Sequence, residues 1–203
     1  MIDAKQFLNA FIQEVKEEKV DQFSRRYFDI YKHDEPTFTE LVNHTLIPNA
    51  IYAIEPELTV QHEYYRVDTI GWKAKYKDIQ DEAKRVGLNP HLWDLMIAVE
   101  HENSKKDWLD EVIKLINIRC PLKVVICYNY CDCRGSEEMK KLAFASKCMN
   151  MVESFSKSKD EEYLIIIGNG VSKNKDSKTY DKFGYSGYLY SWESECFCKI
   201  PIS

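Results

Sequence analysis

The sequence predicts an α/β protein in which helices pack on a central mixed sheet. Three observations point there. The first fifty residues carry apolar side chains at helical spacing, five later segments are strand-like in length and content, and two amphipathic helical segments alternate with those strands. A chain of 203 residues is the size of one domain. It is read as residues 1–35, a helical N-terminal extension, followed by 36–203, the core and C-terminal strands.

Asp3-x-x-Gln6 resembles a capping box, and Phe7, Leu8, Phe11 and Val15 follow on one helical face. Phe23, Tyr27 and Ile30 suggest a second helix. Pro36 suits the first turn of a third, with Phe38, Leu41, Val42 and Thr45 on one face and an end before Pro48. Glu63–Trp72 is aromatic and β-branched and reads as one strand. Lys73–Pro90 is polar, a loop or short helix. Asp94–Glu102 is an apolar run that turns polar at its end, as in a buried strand leading into a site. Ser104-x-x-Asp107 then introduces a helix through Trp108, Val112, Leu115 and Ile116, and Leu122–Tyr128 is a strand. Ser136 caps a helix whose apolar stripe is read as Met139, Leu142, Ala143, Met149, Val152 and Phe155. Tyr163–Ile167 is a buried strand. Gly184–Lys199, with Tyr188, Tyr190 and Trp192 alternating, reads as a final one.

Composition excludes several classes. With 44% hydrophobic and 30% charged residues, 7 Gly and 6 Pro, the chain is neither disordered nor a low-complexity polymer. No apolar run approaches the roughly 18 residues that span a bilayer, and Met1–Lys5 lacks the pattern of a secretory signal. The expectation is a soluble cytoplasmic protein with no membrane partner. A net charge of −5 argues against indiscriminate coating of nucleic acid. It leaves room for an acidic nuclease built around a metal. Seven cysteines, an odd number without a secretory signal, are read as reduced thiols.

Three carboxylates stand out by position. Asp68 lies within an apolar strand, and Glu100 and Glu102 lie at the carboxyl end of the next. Residues two apart on a strand share a face, and neighbouring strands are about 4.8 Å apart, so paired strands would gather all three. Like charges in a cleft need a cation or protons to coexist. Mg²⁺ or Mn²⁺ on oxygen ligands is the economical answer. The competing reading leaves each acid facing solvent or paired with a base such as Arg66.

RVDTIGW around Asp68, followed by AVEHEN around Glu100, resembles the active-site motif of the PD-(D/E)xK, or restriction-endonuclease-like, nucleases. The resemblance covers about Pro36 to Gly168. It implies an αβββαβ core with Asp on one strand and Glu-x-Lys on the next, a Mg²⁺-dependent hydrolysis of DNA, and Asp68, Glu100 and Glu102 as metal-binding catalytic residues. The chain departs from the motif at Glu102, where the family's Lys is expected. Lys73, Lys105 or Lys106 is a candidate to replace that cation, or a second ion does so. Glu40, on the helix before the sheet, is the candidate fourth acid, with Glu63 second to it. His101 should face away from the glutamates. A homodimer would suit cleavage of both strands. Two other readings stay open: a catalytically inactive nuclease-fold protein serving as a binding or assembly subunit, and an unrelated α/β protein whose acids never meet.

The remaining signals carry less. Lys73-x-Lys75-x-Lys77 and Lys173-x-Lys175-x-x-Lys178 could straddle a phosphate backbone or be solvated loops. Cys131-x-Cys133 with Cys196-x-Cys198 is poorly spaced for zinc, where two to four intervening residues are usual; Cys196 and Cys198 are read as buried small hydrophobes. Gly168-Asn169-Gly170 is a turn, lacking the rest of a phosphate loop. Neither a nucleophile elbow nor a Cys/His pair with recognisable spacing is present. The C-terminal aromatic stripe is read as sheet core.

Overall fold

A computed structural model describes residues 2–20, 34–104, 106–129, 136–169 and 184–202. The expected helix at Phe23–Ile30, Lys105, the Cys131-x-Cys133 pair, Gly170 and the basic run at Lys173–Lys178 lie outside the described residues.

The chain is a mixed α/β protein. Helices α1 (Ala4–Val20), α2 (Glu35–Leu41) and α3 (Ile47–Ile54) lead into a seven-stranded sheet in simple order. Its strands are β1 (Thr59–Tyr64), β2 (Val67–Ala74), β3 (Trp93–Glu102), β4 (Leu122–Asn129), β5 (Glu162–Asn169), β6 (Gly184–Ser191) and β7 (Cys196–Ile200). Short α4 (Gln80–Arg85) precedes β3, and α5 (Trp108–Ile116) and α6 (Ser136–Met151) are the crossovers that make β3, β4 and β5 parallel. The other neighbours pair antiparallel. Among the described residues, no helix is long and apolar enough to cross a membrane.

Two cores follow from the alternation of side chains across the sheet. One face packs Phe7, Leu8, Phe11, Phe38 and Ile51 of α1–α3 against Ile97, Val99, Val124, Ile126 and Ile166. The other packs Trp108, Val112 and Leu115 of α5 and Leu142, Ala145 and Met149 of α6 against Ala98, Val125, Ile165 and Tyr188. All eight residues of β4 are buried, as a central parallel strand covered on both faces requires. Gly71 has no room for a side chain: a Cβ there would lie 2.7 Å from Ile97 Cγ2 and 3.1 Å from Leu58 Cδ1. The α1 cap is as expected, with the Gln6 N–H donating to Asp3 Oδ1 at 2.8 Å.

Five local expectations are corrected. Glu63–Trp72 is not one strand but the end of β1, a turn and most of β2. The turn residues Tyr65 and Arg66 have φ of +48° and +67°, and Tyr64 pairs with Val67. That is the two-residue geometry with both central φ positive, usually signalled by Asn-Gly, and Tyr-Arg gives no such signal. Pro48 does not end the helix. Val42–Leu46 is a π-helical turn in which the Ile47 N–H donates to the Val42 carbonyl, and α3 starts afresh with Pro48 in its first turn, where a missing N–H costs nothing. Thr45 is consequently exposed.

Gly184–Lys199 is a hairpin, β6 and β7, joined at Trp192–Glu195 with Glu195 at φ +52°. The reversal resets the alternation, so Phe197 is buried while Cys196 is half-buried and Cys198 exposed. The apolar stripe of α6 is Leu142, Ala145 and Met149, with Met139 and Ala143 exposed. The stripe runs back to Glu138, which is buried and accepts a hydrogen bond from the Tyr188 hydroxyl. Finally, Asp107 and not Ser104 stands at the cap of α5; the Ser104 hydroxyl donates to Asp107 Oδ2 at 2.6 Å.

Candidate functional site

The turn at Tyr65–Arg66 sets the site. It brings β2 in beside β3 with Thr69 opposite Val99 and Ile70 opposite Ala98, so Asp68 and Glu100 are next in register. Both point to the face covered by α5, which also holds Ile70 and Ala98. Asp68 is half-buried, and its Oδ2 accepts the His101 N–H at 2.8 Å. Where the ladder ends, this carboxylate takes the role of a strand carbonyl. Glu100 is fully buried, its side chain only 2% exposed.

Lys114, on α5, closes the site. Its Nζ lies 2.7 Å from Glu100 Oε1, pairs with Glu111 one helical turn earlier, and donates to the Arg66 carbonyl at 2.8 Å. An ammonium has three N–H donors, and three acceptors surround it. One lysine thus ties together β3, α5 and the β1–β2 turn.

Burial dominates the electrostatics. It raises the Glu100 carboxyl to about 8 against the pull of Lys114, and the charges of Asp68 and Glu111 add to the rise. Burial also raises Asp68, partly offset by the His101 N–H and by Lys114. Lys114 loses some basicity to burial but is raised overall by its two carboxylates. Around neutral pH the site therefore combines a charged ammonium with a glutamic acid that retains much of its proton.

Glu102 follows Glu100 on the same strand face, is half-buried, and accepts the Ser104 N–H at 2.5 Å. It lines an open cleft of about 630 Å³ at the strand ends, together with Glu40, Glu63, His44 and His101. Glu40 is exposed there. The expected acids thus fall into two neighbouring groups: Asp68 with Glu100 under α5, and Glu102, Glu40 and Glu63 around the cleft.

Of the expected replacement cations, Lys73 pairs with Glu57 at 2.7 Å, Lys106 is exposed on the loop before α5, and Lys105 lies outside the described residues. Lys114 and Glu111 were missed in the sequence. Their signal was available: they lie three residues apart on the flank of the Trp108, Val112, Leu115 stripe, where side chains meet along a helix.

His101 faces away from the glutamates, as expected. Its Nε2 is 2.9 Å from the Tyr128 hydroxyl, its ring packs on Phe38, and burial depresses it to about 3, so it is neutral. At the opposite end of β4, Lys123 is buried with Glu161 and within 2.8 Å of the Tyr163 hydroxyl.

Among the described residues, no group of three or more His, Cys, Asp or Glu side chains is arranged to hold a metal ion. Asp68 and Glu100 nevertheless fit a hard divalent cation by donor chemistry. They are two oxygen donors on one face, raised by burial, and Mg²⁺ commonly takes one or two carboxylates and completes its shell with water and phosphate. No family model, curated protein or solved structure matches the chain.

Proposed function

We propose that the protein is a divalent-metal-dependent phosphodiesterase that hydrolyses DNA, with a restriction-endonuclease-like core. The observation that carries this reading is the pairing of Asp68 and Glu100 across β2 and β3, with Lys114 on Glu100. The order α3, β1, β2, β3, α5, β4, interrupted by the short α4 between β2 and β3 and with β3 parallel to β4, is compatible with the αβββαβ core that the resemblance implies.

Asp68 and Glu100 would hold Mg²⁺ or Mn²⁺. When bound, such an ion lowers the pKa of a water and offsets charge on the phosphoryl oxygens. Glu100 would have to be ionised to serve as a ligand. Lys114, 2.7 Å from Glu100 Oε1, would supply the cation that the motif's Lys otherwise provides and could donate to a phosphate oxygen. Glu111 and the Arg66 carbonyl keep it in place. Glu102, beside the cleft, orients water or a second ion. The test is Mg²⁺-dependent cleavage of DNA by the wild type and by Asp68→Ala, Glu100→Ala and Lys114→Met. The proposal expects cleavage by the wild type and a loss of at least a hundredfold in each variant. Equal cleavage in all four proteins overturns it.

A second reading is a binding or assembly subunit without catalysis. Lys114 favours it, because a resident cation already lies against Glu100 and Glu111 and donates to the Arg66 carbonyl. Under that reading Mn²⁺ does not bind, and Lys114→Met affects only stability.

A further inference from the structure

On the α5 side of the sheet, α5 packs against β3 and β4 and α6 against β7. Near β1 and β2 that same face bears a pocket of about 210 Å³, walled by Tyr64, Trp72, Tyr76 and Trp93, with Gln61 and His91 also lining it. The rings are set at steep angles to one another. Tyr64 and Trp93 are 5.5 Å apart at 84°, and Trp72 and Trp93 are 5.9 Å apart at 59°. The β-bulge at Gly71/Trp72 brings Trp72 opposite Leu95, beside Trp93.

The lining selects one kind of occupant. Whole cofactors and drug-sized ligands occupy roughly 300–1,000 Å³, so this pocket has room for a single ring system. Aromatic walls also suit a quaternary ammonium ion, but among the described residues no carboxylate lines this pocket. Instead the Gln61 amide offers both donors and an acceptor, and His91 a ring nitrogen, which are groups that read the edge of a heteroaromatic base.

Position supports the same occupant. Asp68, Ile70 and Trp72 alternate along one face of β2, and Ile70 and Trp72 both line the pocket, which sets its walls about 7 to 13 Å from Asp68 at strand spacing. That is the rise of about two to four nucleotides on one strand.

We infer that this pocket takes one unstacked nucleobase of a single-stranded stretch of nucleic acid. The base pocket stands on its own lining; its service to cleavage at Asp68 and Glu100 rests on the proposed nuclease reading. A base inside a duplex cannot enter, so the substrate is single-stranded, or frayed, on this side of the site.

The test is a tryptophan-fluorescence titration of the full chain without metal. The probes are a twelve-residue single-stranded oligodeoxyadenylate, adenosine monophosphate, ribose 5-phosphate and tetramethylammonium. The expected result is saturable quenching by the oligonucleotide and by adenosine monophosphate, and none by ribose 5-phosphate. Trp93→Leu should weaken oligonucleotide binding by about five- to a hundredfold, the loss of one stacking partner. Tyr76→Ala, at the pocket edge, gives a second variant if Trp93→Leu does not fold.

Absence of saturable quenching by either adenine probe overturns the inference, as does binding unchanged in both folded variants. Quenching by tetramethylammonium alone makes the pocket a cation cage, and quenching by the monophosphate but not the oligonucleotide makes it a free-nucleotide site; either result overturns it. Base binding in a protein that neither binds Mn²⁺ nor cleaves DNA would leave this pocket standing and remove the nuclease reading. Cleavage without base binding would do the reverse.

Discussion

Lys114 Nζ sits 2.7 Å from Glu100 Oε1 and 2.8 Å from the carbonyl oxygen of Arg66. The same ammonium therefore contacts the most buried acid of the site and holds the turn that positions Asp68. If the function is as proposed, the lysine missing beside Glu100 is supplied by the following helix.

Glu100 should make the protein less stable as pH rises. Its carboxyl is raised from 4.5 to about 8 in the folded state, so the folded chain binds more protons than the unfolded chain between those values. The stabilisation is complete below about pH 4.5 and is lost as pH rises through about 8, the reverse of a salt-bridged carboxylate. Glu100→Gln cannot ionise. Thermal melts without metal should show it more stable than the wild type by up to ~4 kcal/mol at pH 8, with the difference falling below ~1 kcal/mol near pH 5. A variant less stable at pH 8 would refute the assignment.

Lys114→Met should be costly. It leaves Glu100 and Glu111 without a counter-charge and the Arg66 carbonyl without its donor. Removing one partner of a fully buried pair costs about 3–5 kcal/mol; partial exposure of Lys114 reduces this to about 1–3 kcal/mol. The loss should shrink when the substitution is made in Glu100→Gln. Equal losses in both backgrounds, measured by urea denaturation, would show that the two residues are not coupled.

The Tyr65–Arg66 turn should be improvable. Both residues hold positive φ, which costs roughly 1 kcal/mol or more for a residue with a Cβ. Tyr65→Asn with Arg66→Gly supplies the preferred pair for this turn. The double variant should gain about 1–2 kcal/mol in a thermal melt, and the Arg66 carbonyl remains for Lys114. No gain, or a loss, would mean that the Tyr64–Tyr65 ring contact outweighs the strain.

The Lys123–Glu161 pair should behave as a structural unit. Lys123 is fully buried, and burial lowers its ammonium against the pull of Glu161. Glu161→Ala leaves that charge uncompensated and should cost about 3 kcal/mol or more, whereas Lys123→Met with Glu161→Leu should cost less than the single change. A double variant weaker than Glu161→Ala would contradict this.

Much of the architecture was legible. The apolar runs of β3, β4 and β5 and the periodicity of α1 and α5 are strong because burial on a whole face or on both faces leaves a period in the sequence. What failed was chain reversal and its consequences. Tyr-Arg at 65–66 and the turn ending at Glu195 lack the Asn or Gly that marks positive φ, so two hairpins read as single strands. Pro48 read as a stop because the π turn before it leaves no trace in composition. For the site, strand alternation led to one expected cluster of Asp68, Glu100 and Glu102, whereas Asp68 and Glu100 lie under α5 and Glu102 lines the neighbouring cleft. The Lys114 contact was not legible because its partner Glu100 lies on another element, fourteen residues away in sequence.

The most direct test of the central claim is calorimetric titration of Mn²⁺ into the wild type and into Asp68→Asn/Glu100→Gln. The account predicts saturable binding to the wild type, tighter at pH 8.5 than at pH 6 because both carboxyls must lose their protons, and no binding to the double variant. Identical titrations of the two proteins, or no binding to the wild type at either pH, would contradict it.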